Sequence, residues 1–135
     1  MFENGEEFRV FTLVEARSLI PMLRRLLTHM AKARERLLDL RVEIDLAREN
    51  ARYGGGSPAG PTYLRYLLEF TEAIQEIQAL GVQVKDFGKG LVDFPYEYEG
   101  RIVFLCWKPD EDEINWWHET DTGFGGRQPL TDEFE

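Results

Sequence analysis

A single cysteine, Cys106, stands in a chain of 135 residues, so neither an internal disulfide framework nor a cysteine-rich zinc module can form. Histidine is almost as scarce, with His29 and His118 the only two. No apolar run approaches the ~18 residues of a membrane span. The N-terminal stretch is acidic where a signal peptide is basic. Positive charge is in deficit: 16 Lys and Arg face 25 Asp and Glu, for a net charge of -9. Binding to duplex nucleic acid or to an anionic membrane needs a basic face. The expectation is a cytoplasmic protein with no membrane partner and with nucleic acid disfavoured.

What is present is globular. The chain is 43% hydrophobic and 30% charged, a balance that builds a core and argues for one domain of ordinary size. The charge is uneven. Residues 12–52 hold nine bases and six acids, whereas residues 81–135 hold five bases and thirteen acids. A basic helical arm thus joins an acidic half. The two can complement each other within the chain or guide the meeting of two chains.

Two helices follow from the pattern. Thr12-Leu-Val-Glu15 is a capping box. From it a helix runs to about Arg52, ~60 Å at 1.5 Å per residue. Its apolar seam is Leu19, Leu23, Leu26, Met30, Ala33, Leu37, Leu40, Ile44, Ala47 and Ala51, the alternating four-three spacing of a coiled coil. Pro21 lies inside the run and predicts a kink near residues 17–21. Tyr53 to Pro61 is a glycine-rich hairpin loop without the Lys-Ser/Thr of a phosphate loop. A second helix opens at Pro61 or Thr62 with the seam Tyr63, Leu67, Phe70, Ile74 and Ile77, and stops at Gly81. It is about half as long as the first. The unmatched seam around Leu19 to Met30 needs cover from the C-terminal region or from a second copy.

After Gly81 the pattern turns to strands. Before the first helix, Phe8 to Phe11 reads as a brief strand or an apolar entry segment. Val82 and Val84 alternate, Gly90 to Phe94 reads as a strand, and Pro95 to Gly100 as its turn. Arg101 to Trp107 is apolar on both faces, as a central strand covered on both sides would be. That is a second ground for expecting a homo-oligomer, a dimer in the simplest case. Ile114 to His118 reads as a third strand, with a helical turn as the alternative, and Glu119 to Glu135 as an irregular tail. The fold class is α+β: a long kinked helix and a shorter antiparallel helix, as a coiled-coil hairpin over residues 12–80, packed with a small antiparallel sheet over residues 81–135.

Several stretches resemble one prokaryotic family of uncharacterised proteins, the domain-of-unknown-function 2203 family. They are Phe11-Thr-Leu-Val-Glu-Ala16, Leu19-Ile-Pro-Met-Leu23, Val84-Lys-Asp86, Gly90-Leu-Val-Asp-Phe-Pro95, Leu105-Cys-Trp107, Trp117-His-Glu119 and Gly123-Phe-Gly-Gly-Arg-Gln-Pro-Leu130. The resemblance covers nearly the whole chain outside residues 53–61. It implies a single compact domain and carries no activity or cofactor with it.

Chemistry-bearing residues gather in the C-terminal part: Asp93, His118, Glu119, Asp121 and Arg127. His118 is a candidate base or metal ligand, and Glu119 a candidate catalytic carboxylate beside it. Asp93 and Asp121 can orient the ring or bind an ion with it. With one histidine and oxygen ligands, a hard divalent cation such as Mg²⁺ or Mn²⁺ is the easier metal. The plainer reading is that His118 hydrogen-bonds to a carboxylate or backbone carbonyl and locks the tail to the sheet. Gly123-Phe-Gly-Gly-Arg127 can cradle an anion, although Arg127 pairing with Asp86 or Asp93 is the expectation. Cys106 reads as a small buried hydrophobe, with Cys/His chemistry left open by His118 on a neighbouring strand. Trp107 and Trp116 are expected in the core, with Trp117 partly exposed and His29 solvated.

Two functions remain. The leading one is a non-enzymatic, self-associating interaction or scaffold domain. The other is a metal- or small-ligand-binding protein, hydrolytic in its strongest form, with a site around His118, Asp93 and Arg127. Nucleic-acid binding by the arginine-rich face of the first helix stands well behind both.

Overall fold

The structure, a computed structural model, describes residues 9–50 and 60–135. The capping box is formed. Thr12 Oγ1 accepts from the Glu15 N–H at 3.1 Å, and the Glu15 carboxylate accepts from the Thr12 N–H at 2.8 Å. It opens α1 (Leu13–Ser18), which ends at Leu19, and α2 (Ile20–Asn50) restarts at once. Pro21 has no N–H to give the Arg17 carbonyl, so the helical ladder fails there. The Leu19 N–H bonds back three residues to Ala16 at 3.1 Å instead. The expected kink is therefore a break.

The expected end of the first helix at Arg52 and most of the glycine-rich loop fall outside the described residues. α3 (Gly60–Ala79) runs antiparallel to α2: Arg36 lies over the Tyr66 ring at 5.9 Å, while Glu76 and Ala79 share a groove with Met22 and Leu26. On α2 the packed side is Ala33, Leu37, Leu40, Ile44 and Ala47, as the spacing predicts. On α3 it is Tyr63, Tyr66, Phe70, Ala73, Ile74 and Ile77. Leu67, expected in the seam, is left exposed at 38%.

Five strands follow as an antiparallel meander in chain order: β1 (Gln83–Asp86), β2 (Leu91–Tyr98), β3 (Arg101–Trp107), β4 (Trp116–Glu119) and β5 (Gln128–Pro129). The molecule is α+β. β2 passes straight through Pro95, where a turn was expected. The Pro95 carbonyl accepts from the Phe11 N–H at 2.8 Å, so the missing N–H falls on the edge that β1 leaves uncovered and no ladder bond to β3 is lost. The turn is Glu99-Gly100, both left-handed with φ 51° and 76°, the two-residue hairpin whose twist suits its strands.

The inner face of the sheet carries Phe94, Tyr96, Val103, Leu105, Trp107 and Trp117. It meets Leu23, Leu27 and Met30 of α2. The unmatched end of α2 is thus covered by the chain's own sheet, which removes the first ground for a second copy. Phe11 stands edge-on to Phe94 at 5.4 Å. Near the C-terminus Phe134 stacks on Tyr98 at 4.6 Å, so the expected irregular tail ends in the core. Trp117 is buried and Trp116 half-exposed on the outer face, the reverse of the expectation, because β4 turns its Trp117 side toward the helices.

The basic arm and the acidic half do meet within the chain. Arg24 donates to the carbonyls of Pro109 and Glu111 at 2.6 and 2.9 Å, and Arg17 to that of Ile114 at 2.9 Å. These bonds hold the 108–115 loop against α2.

Candidate metal centre

The outer face of the sheet is also buried, but it is not apolar. In the register Asp93 sits opposite Cys106, and Cys106 opposite Trp116, while Phe104 lies opposite His118. Side chains directly opposite share a face, so three neighbouring strands present Asp93, Cys106 and His118 together. Their donor atoms lie within 4.8 Å of one another. Asp93 is 1% and His118 3% exposed, and Cys106 is wholly buried. The second ground for a dimer, an apolar outer face in need of cover, is thereby removed: Phe104 and Cys106 are already buried in the single chain.

The imidazole leans across β3, its ring 5.5 Å from that of Phe104. His118 Nδ1 is 2.7 Å from the Glu119 carbonyl, and Nε2 is 3.0 Å from Asp93 Oδ2. A carbonyl only accepts, so Nδ1 carries a hydrogen. The Nε2–Oδ2 bond then needs a proton of its own, which the imidazole and the carboxyl share. Burial pushes the Asp93 carboxyl above its ordinary range, and His118 offsets this only in part. The plainer expectation, a histidine locked by a carboxylate and a backbone carbonyl, describes this geometry well.

The lock is incomplete. Asp93 Oδ1 is buried without a hydrogen-bond partner among the described residues. The Cys106 thiol beside it is a weak donor. Burial, and next the Asp93 charge, push that thiol up to about 12, so it is protonated at neutral pH.

Arg127 closes one side of the cluster, but not by pairing with Asp86 or Asp93. Its Nη2 donates to Glu111 Oε1 at 2.7 Å. Its guanidinium lies over Phe124 at 4.5 Å and over Trp116 at 5.3 Å. The glycine cradle is a single 3₁₀ turn at Phe124–Gly126. There the Gly126 and Arg127 N–H groups bond to the carbonyls of Gly123 and Phe124, which leaves neither of them for an anion. Asp86 accepts from the Lys89 N–H in its own turn.

Two expected members stand apart. The Glu119 carboxylate lies on the opposite face from His118 and takes two bonds from Arg101, at 2.9 and 2.6 Å; these hold it below the usual carboxylate range. Asp121 is exposed in the β4–β5 connection and outside the cluster. His29 is exposed on α2, as expected. Sequence reasoning reads Cys106 first as a small buried hydrophobe and leaves Cys/His chemistry open; alternation along Arg101 to Trp107 already sets it on the face away from Leu105. Sequence reasoning misses Glu111, for which the spacing offers no signal.

An α+β protein with one sulfur, one nitrogen and one oxygen donor closed inside its sheet is what the geometry defines. A family model described as "Uncharacterized conserved protein (DUF2203)" matches residues 9–130. The chain belongs to that family. No curated protein and no solved structure matches it.

Proposed function

We propose that this protein is a non-catalytic domain that holds a thiophilic divalent ion, zinc above others, among Asp93, Cys106 and His118. The observation that carries the reading is the convergence of the three donors from three strands within 4.8 Å, with Asp93 Oδ1 left unpartnered among the described residues. Zinc bonds of about 2.0–2.3 Å set tetrahedral ligands roughly 3.3–3.8 Å apart, so small side-chain rotations suffice. The charges also balance: a thiolate and a carboxylate neutralise a divalent ion, as a buried site requires. The sulfur moves the preference from Mg²⁺ or Mn²⁺, which want several oxygens and waters, to zinc. The Glu119 carbonyl fixes the tautomer that leaves Nε2 toward the ion.

Closure supports holding an ion rather than turning over a substrate. The groove of about 610 Å³ between α2 and the end of α3 is lined by other residues. A thiol kept reduced for metal suits a reducing compartment such as the cytoplasm.

The test is direct. Metal-depleted protein is titrated with Zn²⁺, and with Co²⁺ as a spectroscopic probe. One equivalent is expected, with a thiolate-to-cobalt band that Cys106→Ala abolishes while the far-UV spectrum stays the same. Folded wild-type protein that takes up no metal overturns the reading.

A further inference from the structure

We propose that a second copy of this chain docks on the far end of the α2–α3 hairpin, along the flank that carries Leu64, Leu67 and Leu68. This goes beyond the metal reading and is independent of it. The sheet covers α2 only as far as about Met30. Beyond it each helix has one packed side, and both carry a second apolar ridge that faces water. On α2 the ridge is Leu38, Val42 and Leu46, with Val42 64% exposed. On α3 it is Leu64, Leu67 and Leu68. Ridges of exposed leucine and valine on neighbouring helices mark an interaction site.

Charge says what covers it. Residues seven apart return to nearly the same helical phase at about 3.6 residues per turn. Arg41 and Arg48 stand one such step apart on α2, both exposed and neither in an ion pair among the described residues, while Arg34, one step earlier, reaches the turn at Gly88. The Arg36–Tyr66 contact and the groove shared by His29 and Glu76 mark the opposite flank of the pair. Arg41 and Arg48 therefore lie between the two leucine ridges. On the α3 side of them, the ridge is interleaved with the uncharged Thr71, Gln75 and Gln78, while Arg65, Glu69, Glu72 and Glu76 fall on the far side of α3. On the α2 side, the ridge is interleaved with Glu35, Asp39, Asp45 and Glu49. One surface thus holds an apolar-basic strip beside an apolar-acidic strip. Such a surface complements itself, which is the requirement of a two-fold dimer. A partner of one sign of charge matches only half of it.

Sedimentation across a concentration series is the experiment. Wild-type protein is expected to reach twice its 15.7 kDa mass, with a dissociation constant that weakens as salt rises. Arg41→Glu with Arg48→Glu, and separately Asp45→Lys with Glu49→Lys, should each weaken self-association by roughly tenfold or more. Mixing these two variants should restore a heterodimer, because each repelling pair becomes an attracting one. All four positions are exposed, so the helices should remain folded, and circular dichroism checks this. A wild-type monomer at every concentration overturns the proposal. So does a dimer that both variants leave intact, or a mixture that fails to associate.

Discussion

Both faces of the sheet hold buried side chains, and the two sets are chemically opposite. The inner face, with Phe94, Leu105 and Trp107, is closed by helices and made of hydrocarbon. The outer face buries Asp93, Cys106 and His118, groups that cost free energy to bury unless each polar atom finds a partner. Burial alone therefore does not say what a strand face is for. The inner face stabilises, whereas the outer face spends part of that stability to keep a proton-sharing pair and a thiol in one place.

The comparison can be broken first from the inner side. Phe94→Ala should cost about 3–5 kcal/mol, through lost transfer energy and a cavity, and urea denaturation reads it as a large drop in midpoint. A drop under about 1 kcal/mol would mean that the inner face is not the main core.

The outer side responds to pH instead. The Asp93 carboxyl is raised above its ordinary value by burial. It therefore holds its proton more tightly folded than unfolded, and stability falls as the proton leaves. The contribution is complete below the ordinary carboxylate value and is lost as pH rises through the raised one. Asp93→Asn should cost about 1–3 kcal/mol at low pH, and that gap should narrow as pH rises. Urea melts of both proteins across a pH series check this, and a gap that widens with pH contradicts it.

The smallest effect sharpens the contrast by leaving both faces alone. Glu99 holds a left-handed φ of 51°, which costs most side chains about 1–2 kcal/mol and asparagine less. Glu99→Asn should therefore raise stability by under about 1 kcal/mol, seen as a small upward shift in thermal midpoint with zinc uptake unchanged.

The inner face was the more legible in the sequence. Thr12 and Glu15 marked the helix start, the four-three spacing marked α2, and Arg101 to Trp107 marked a buried strand. Each of these is local. The outer face depends on register, which no single segment carries. Asp93 and Cys106 are thirteen residues apart and meet only because the turn falls at Glu99-Gly100. Pro95 pointed to an earlier turn, and its tolerance inside β2 depends on where β1 ends. Trp116 and Trp117 are adjacent and alternate faces, so their assignment hangs on the register of β4. The expected dimer rested on two uncovered surfaces that the chain covers itself. Of the exposed residues that now suggest one, only Leu67 belongs to the four-three seam; Leu38, Val42, Leu46, Leu64 and Leu68 sit outside it.

The hairpin turn also bears on the order of events when the chain folds. β2 and β3 are joined by two residues, so pairing them closes the shortest loop in the sheet, and hairpins of this kind form in about 1–10 μs. Asp93 and Cys106 therefore come face to face before the docking residues of α2, more than sixty residues of contour back from Asp93, need to reach the sheet. His118 arrives later, across a longer connection. A chain that folds in this order aligns a thiol and a carboxylate while they are still open to water, where an ion can reach them without entering a closed protein.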